Sequence, residues 1–387
     1  MRVLMVSNLW PPAIVGGAEQ YAAALAGRLR GLGHEVGVIT LGVPGPDVLA
    51  TVTPWPYPIQ DAATEPASRR ALFHAMDLHN PRARRTLDRV LDDFAPDVVH
   101  SNVVQGLSTV ALTRPSQRGF AHVHTLHDYW LLCERNSMVR RDGRACDERC
   151  RSCAAMSRLR SHSLSRHAPD ILLAVSRAIA AEHELLRWAA GRLRVLYNPV
   201  EVVAQERVAP PGAGSPLTFA FLGRVARDKG IATVLEAFRR AALVNARLVV
   251  AGRGPLDGAV RDAAGAVTYA GWLDASEKEA LLASADCIVV PSEWKDPAPV
   301  VVNEARARGI PVIGAEIGGI PELVAPECAP LLFPSGDVGA LADRLRTFAA
   351  APARFRPVPA AAPLDWLAHL DGVLEAYEDA RRLEGRA

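Results

Sequence analysis

Short β-branched runs alternate with amphipathic helical stretches along almost the whole chain, and no other feature of the sequence restricts the fold as tightly. The runs are Arg2–Ser7, Glu35–Thr40, Asp97–Ser101, Ala121–Leu126, Ile171–Ser176 and Leu193–Tyr197, then Leu217–Leu222, Arg247–Gly252, Ala266–Gly271, Cys287–Pro291 and Ile310–Gly314. Strands that read as continuous apolar segments are buried on both faces, and the helices between them supply the crossovers that parallel strands require. An α/β protein built on doubly wound parallel sheets is the expectation. The series breaks once, at 204–216 (AQERVAPPGAGSP), a Pro, Gly and Ala stretch with no period, and a domain boundary belongs near it. Each half opens alike, with a strand, a glycine turn and a long helix: Val3–Ser7 ahead of Gly16 and Gly17, and Thr218–Leu222 ahead of Gly223 and Gly230. The expected division is 1–200 for a first domain with a Cys- and Arg-rich insert at 130–165, 201–363 for a second, and 364–387 for a terminal helix. In that helix Leu364, Leu367, Leu370, Val373, Leu374 and Tyr377 recur at helical spacing, a face that packs back on the first domain.

Composition removes several classes of function. With 49% hydrophobic and 22% charged residues over 387 positions, the chain has the material for real cores, and disorder is excluded as its general state. Basic and acidic residues nearly balance, 44 against 42, so bulk attraction to nucleic acid is not built in and no nucleic-acid partner is expected. No apolar run approaches the roughly 18 residues of a membrane span, and the opening apolar stretch is too short for a signal-peptide core. A cytoplasmic protein follows as the expectation.

The segment Phe221-Leu-Gly-Arg-Val-Ala-Arg-Asp-Lys-Gly230 ends an apolar strand in Gly223 and sets Arg224 and Lys229 at the mouth of a helix. One cation at such a turn is an ordinary surface charge. Two of them, beyond the carboxyl end of a parallel strand and beside helix N–H groups, form a grip for a diphosphate. Further on, Pro291-Ser-Glu-Trp-Lys-Asp-Pro-Ala-Pro-Val-Val-Val-Asn-Glu304 places carboxylates at Asp296 and Glu304 on either side of a turn and helix start. Such residues serve as helix caps or dipole partners, and equally accept hydrogen bonds from sugar and ribose hydroxyls. In the first half, His122-Val-His-Thr-Leu-His-Asp128 closes a central strand. A histidine there is either a hydrogen-bonded structural residue or one that faces a ligand, and the Asp beside it either orients the ring or caps the next turn.

Together with Gly318-Gly-Ile-Pro-Glu-Leu-Val324 and Gly16-Gly-Ala-Glu19, these segments resemble glycosyltransferase family 4, and the resemblance runs from Met1 to about Tyr377. It implies a GT-B fold, two facing doubly wound Rossmann-like domains with an interdomain cleft, and retaining transfer of a sugar from a nucleoside diphosphate, a UDP-sugar among them. By that resemblance Arg224 and Lys229 bind the donor diphosphate and neutralise the leaving group, and Glu304 holds the ribose. Asp296 stands where the family carries the first Glu of a Glu-x7-Glu signature that contacts the transferred sugar. It is one methylene shorter, and Glu293 is the nearby substitute. Ala298, Pro299 and Val300 match the stretch whose backbone approaches the sugar, Gly16 and Gly17 with Gly223 match the loops at the donor phosphates, and His127 matches the histidine beside the reacting sugar. Asp128 and Trp130 fall on the acceptor side, where Trp130 either lines an acceptor pocket or simply packs the loop. No Asp-x-Asp occurs in the chain, which agrees with metal-independent transfer and no cofactor for catalysis, the Lys/Arg pair replacing a divalent cation.

Two features lie outside that scheme. Cys133, Cys146, Cys150 and Cys153 are spaced Cys-x12-Cys-x3-Cys-x2-Cys, which suits a structural zinc and equally suits reduced thiols or redox-dependent disulfides. Arginine concentrates in the first half, at Arg69, Arg70, Arg82, Arg84, Arg85, Arg140, Arg141, Arg144, Arg149, Arg151, Arg158, Arg160 and Arg166. Either this is the surface habit of an Arg-heavy chain with only three lysines, or it is a patch for an anionic membrane face or a lipid diphosphate acceptor. The expected partners are thus a nucleoside diphosphate sugar and a glycan, lipid-linked or small-molecule acceptor, with peripheral contact at the inner membrane face as the membrane reading. Surface polysaccharide or lipid-linked glycan synthesis is the leading role and a small specialised metabolite the second acceptor class. A nucleotide-sugar epimerase or hydrolase, or an inactive nucleotide-sugar-binding protein, are the readings from other classes.

Overall fold

The structure is a computed structural model that describes residues 1–13, 16–45, 47–56, 65–140, 145–146, 148–200, 216–263, 265–358 and 365–385. The chain forms two compact units: 1–136 with 149–196 and 369–387, and 137–148 with 197–368. The Pro/Gly/Ala stretch at 204–216 lies outside the described residues except for its last position.

Unit 1 carries seven strands: β1 (Arg2–Val6), β2 (Glu35–Leu41), β3 (Val48–Val52), β4 (Val98–Ser101), β5 (Ala121–Leu126), β6 (Ile171–Ala174) and β7 (Leu193–Val195). They form one parallel sheet in the order β3-β2-β1-β4-β5-β6-β7. Val3, Leu4, Met5 and Val6 of β1 are all fully buried, as a strand covered on both faces demands. The strand β3 escapes the hydrophobic pattern. It is a five-residue edge strand, Val-Leu-Ala-Thr-Val, paired on one side only; four of its five residues are apolar, but the run is short and hemmed in by prolines on both sides, so it does not stand out as a strand between helices.

Unit 2 carries β8 (Leu217–Leu222), β9 (Ala246–Ala251), β10 (Val267–Gly271), β11 (Cys287–Val290) and β12 (Val312–Gly314), again all parallel, in the order β10-β9-β8-β11-β12. Its core is organised on β8. The Phe219 ring meets Phe238 of the helix Ile231–Ala241 edge-on at 6.0 Å and Phe348 of the helix Val338–Ala350 at 5.6 Å. All eleven runs read from the sequence are strands, and the two Rossmann-like sheets agree with the expected fold class.

From His369 onward the terminal helix Trp366–Glu384 belongs to unit 1. Its buried face is His369, Leu370, Val373, Ala376, Tyr377 and Ala380. Leu367, assigned to that face from its spacing, is 73% exposed, because it precedes the segment that unit 1 covers; Leu374 is half-buried. Two buried hydrogen bonds seat the helix, Tyr21 Oη to His369 Nε2 at 2.9 Å and His100 Nδ1 to Tyr377 Oη at 2.7 Å.

Candidate active site

In a doubly wound sheet the ligand crevice lies beyond the carboxyl ends of the strands where the strand order reverses. In unit 2 that point is between β8 and β11, and the segments leaving these two strands carry most of the residues singled out above. After β8 the chain passes Gly223, Arg224 and the short 3₁₀ turn Arg227–Lys229 before the helix Ile231–Ala241. Gly230 between them has φ +73°, and a Cβ there would come within 1.8 Å of the Pro291 carbonyl oxygen. Only glycine lets the β8 loop lie against the β11 loop, and this close approach delivers Lys229 to its neighbours. The Lys229 ammonium donates to the Asp296 carboxylate and lies 4.8 Å from the centre of the Trp294 ring. Asp296 is buried and its backbone is braced by Gly319, whose N–H donates to the Asp296 carbonyl at 2.8 Å. Lys229, Asp296 and the Gly318-Gly319 turn therefore form one cluster.

The remaining donor-side residues have partners of their own. Arg224 is over half exposed and donates to Asp228 at 2.5 Å, an exposed cation at the rim. Glu293 accepts from the Thr233 hydroxyl at 2.5 Å, and Glu304 accepts from Lys278 at 2.5 Å. Ala298 and Pro299 lead into the helix Val300–Ala307, which starts without a side-chain cap, so its first amides are not claimed by one. Three participants were not singled out from sequence: Thr233, Lys278 and Gly252. Gly252 has φ +130°, and a Cβ there would come 1.8 Å from the Gly223 carbonyl oxygen, which locks the β9 loop under the β8 loop. The Gly252-Arg-Gly254 run after a strand was the available signal.

In unit 1 the order reverses between β1 and β4. The ends of these strands hold buried polar atoms without partners, Ser7 Oγ, Asn8 Oδ1 and Asn102 Nδ2. Gly16 precedes the helix Gly17–Gly31, and its N–H is taken by Glu19 Oε2 at 2.7 Å. Of the three histidines near the end of β5, His122 and His124 turn into the sheet, where both reach the Ser101 hydroxyl at 2.8 and 3.0 Å. His127 lies past the strand, 3.1 Å from Asn102 Oδ1 and 5.0 Å between ring centres from Tyr21. Burial, and then the neighbouring His369, push its pKa down to about 3, so the ring is neutral. Asp128 follows with Oδ1 accepting the Trp130 N–H at 2.8 Å. Burial drives its pKa up from 3.8 to about 7, against the pull of that hydrogen bond and of Arg160. Asn102, His124, Thr125, His127, Asp128 and Trp130 share a cavity of about 10 Å³, room for one water-sized group.

Two readings from the sequence change here. Trp130 lines the cavity, but it is 2% exposed and its indole N–H is already given to Asp77 at 2.6 Å. Arg160 is no part of a basic surface: it is fully buried, pairs with Asp77 at 3.0 Å, stacks 4.0 Å over the Trp130 ring, and donates to the carbonyls of Trp130 and Cys133. An arginine can be buried this way because its fork satisfies a carboxylate and two carbonyls at once. Arg69, Arg82, Arg84, Arg85, Arg140, Arg149, Arg151, Arg158 and Arg166 are exposed and Arg70 is half-buried, while Arg141 and Arg144 lie outside the described residues. Of the four clustered cysteines, Cys133 and Cys153 are buried with their sulfurs 3.6 Å apart, Cys146 is buried and Cys150 is exposed. The Cys133–Cys153 separation suits one edge of a tetrahedral thiolate set. Among the described residues, no group of three or more His, Cys, Asp or Glu is arranged to hold a metal.

Two family models match successive parts of the chain. Residues 15–203 match the model described as Glycosyltransferase Family 4, and residues 216–350 match Glycosyl transferases group 1. Glycogen synthase of Mycobacterium tuberculosis is 26% identical over 99% of this chain and 96% of its own length. Sucrose-phosphate synthase from Thermosynechococcus elongatus has a similar structure, with a TM-score of 0.74 at 22% identity over 98% of both chains. So does the Anabaena protein HepE, solved in complex with UDP-glucose, with a TM-score of 0.71 at 16% identity over 98% of this chain and 100% of that one. Among the described residues no helix is long and apolar enough to cross a membrane.

Proposed function

Since the chain belongs to the glycosyltransferases, with a family 4 domain and a group 1 domain on a GT-B fold, we propose that it moves a hexose-type sugar from a nucleoside diphosphate to an acceptor hydroxyl with retention of configuration. The observation that carries this reading is the Lys229, Asp296 and Gly318-Gly319 cluster beyond β8 and β11, with Arg224 at its rim. Cleavage of the bond between the anomeric carbon and the diphosphate leaves negative charge on the phosphate, and a preorganised cation there lowers the barrier. Lys229 is that cation: donor binding shifts its ammonium from Asp296 toward the phosphates, Arg224 adds its fork from the rim, and the pair takes the place of a divalent metal. Asp296 then faces the sugar, and Glu304 exchanges Lys278 for the ribose hydroxyls. On the acceptor side, His127 presents a neutral ring and Asp128 accepts the incoming hydroxyl. The acceptor oxygen bonds to the anomeric carbon on the face the phosphate leaves, the carbon–phosphate oxygen bond breaks, and the leaving phosphate takes the acceptor proton. A growing surface glycan or lipid-linked precursor is the favoured acceptor: the likeness to a glycogen synthase supports a glycan, and the exposed arginines of unit 1 support one that is anionic or lies at a membrane face.

The test is a panel of nucleoside diphosphate hexoses, UDP-glucose first, followed by proton NMR with and without acceptors. A transferase leaves its donor intact until an acceptor is added, and the product keeps the donor's anomeric configuration. Epimerisation or rapid hydrolysis of a donor alone overturns the proposal in favour of another sugar-nucleotide activity.

Asp128 supplies a pH prediction. Its ionised form is the stronger acceptor for the hydroxyl, so kcat/KM for the acceptor rises with pH up to about 7 and levels above it. The variant Asp128→Asn is expected to lose that limb and about 10–100-fold in kcat/KM, the worth of a hydrogen bond to a charged group. A limb that persists in the variant contradicts the role. The raised pKa also makes folding stability fall as pH climbs from about 4 to 7, since the unfolded chain gives up this proton first.

A further inference from the structure

We propose that Asn102 is a positioning residue: it fixes His127 as the tautomer protonated on Nε2, so that the bare Nδ1 is the atom offered to a sugar hydroxyl. The functional half of this inference rests on the reading of His127 given above; the structural half does not.

Asn102 is the first residue after β4, and its backbone is pinned, with its N–H donating to the Val6 carbonyl at 2.9 Å. It is 1% exposed, so its amide has no freedom to choose partners from water. Its Oδ1 lies 3.1 Å from His127 Nε2, and an amide oxygen only accepts, so Nε2 carries the proton. The ring is neutral, because the groups around it add no anion to hold a second proton. His369 approaches from the terminal helix, Tyr21 from the helix Gly17–Gly31, and His100 and His124 from β4 and β5. All three neighbouring histidines are buried, and His100 is itself held neutral, down to about 3. Asp128, the adjacent carboxyl, is turned to the Trp130 amide. A neutral ring with one proton has one acceptor nitrogen, and the Asn102 contact makes it Nδ1. That choice has a chemical consequence. An Nδ1 acceptor takes a hydrogen bond from a neutral hydroxyl and gives nothing to a phosphate, so His127 selects for the sugar part of a substrate.

The second observation is the other half of the same amide. Asn102 Nδ2 is buried without a partner and Asn102 lines the 10 Å³ cavity beside His127 and Asp128. With no protein acceptor, that N–H faces the small cavity while the oxygen of the same amide is committed to the imidazole, a division of roles that a leucine of similar volume could not supply.

The experiment is long-range proton–nitrogen NMR of the imidazoles in the full-length chain without any substrate, with the His127 signal assigned by its loss in His127→Gln. The wild type is expected to show the Nε2–H tautomer, with no protonation of the ring down to about pH 4. The variant Asn102→Asp keeps an oxygen opposite Nε2 and adds charge; it is expected to retain the tautomer and raise the His127 pKa by at least about one unit. The variant Asn102→Leu removes the acceptor, and a mixture of tautomers is expected. An Nδ1–H ring in the wild type, or a tautomer unchanged in Asn102→Leu, overturns the proposal. Thermal melts show whether each variant is folded, and Asn102→Asp decides the matter through the pKa if Asn102→Leu does not fold. Turnover is not the readout, so a chain that proves inactive on every nucleoside diphosphate sugar counts against the functional reading and leaves the tautomer result standing.

Discussion

The variant Lys229→Ala is expected to lower kcat by about 10²–10³-fold, the loss seen when one preorganised charge-stabilising donor is taken from a transition state. The reason lies in how the cation is held. Lys229 reaches the carboxyl-end crevice of unit 2 only because Gly230 lets the β8 loop touch the carbonyl of Pro291, and its ammonium is already oriented by Asp296 and the Trp294 ring. Once donor binding has drawn the ammonium from Asp296 onto the phosphates, a cation on so constrained a loop needs little further reorganisation as charge develops on the departing phosphate. Arg224 is more than half exposed and paired with Asp228, so Arg224→Ala is a smaller version of the same change. Steady-state kinetics on the donor identified by the panel, with a thermal melt of each variant, separate the catalytic loss from misfolding. A Lys229→Ala enzyme within threefold of the wild type, or one whose loss is matched by unfolding, removes Lys229 from the chemistry.

The largest effect on stability is expected from Arg160→Met, in unit 1. Arg160 and Asp77 are buried together, and Asp77 also accepts from the Trp130 indole and the Gly106 N–H at 2.6 and 2.7 Å. Removing the guanidinium leaves a carboxyl without its counter-charge and frees two carbonyls, a loss of about 3–5 kcal/mol. For a unit of this size that is a fall in Tm on the order of 10 °C. Burial raises the Asp77 pKa even with Arg160 beside it, so in the variant the carboxyl takes up a proton more readily. The sign follows. The deficit is full at alkaline pH and shrinks as pH falls toward about 4, where Asp77 is protonated in the unfolded chain as well. The double variant Arg160→Met with Asp77→Asn removes the unpaired charge and keeps an acceptor for one of the two donors, which sit on different oxygens of Asp77, so it is expected to recover part of the loss. A single variant that melts within 2 °C of the wild type, or a double variant no better than the single, contradicts the assignment of this pair as the support beneath Asp128–Cys133.

How much of this could be read from the sequence depended on the kind of constraint. Among the described residues, eleven of the twelve strands are legible as short β-branched runs between helical stretches, the edge strands β7, β10 and β12 included; β3, a short run between Pro-containing segments, is not. Lys229, Asp296 and the glycines around them were legible because a strand-to-glycine-to-helix turn forces their placement. Partner identity was not. That Glu293 bonds Thr233, that Glu304 bonds Lys278, and that Arg160 plunges into unit 1 to meet Asp77 are facts of tertiary packing across 60, 26 and 83 positions of sequence. Charge alone put Arg160 on the surface, since nothing local marks an arginine that will find its carboxylate so far away. Asn102 was missed for a related reason: it belongs to no motif, and its part comes from standing at the end of β4 where the sheet order reverses.

The most direct measurement is the proton NMR spectrum of the sugar product formed from UDP-glucose, or from whichever nucleoside diphosphate hexose the panel shows to be consumed, recorded as transfer proceeds. An anomeric coupling constant in the first product that matches the donor's configuration, with the donor untouched when acceptor is left out, is the expected result. A product of inverted configuration, or a donor that turns over alone, contradicts it.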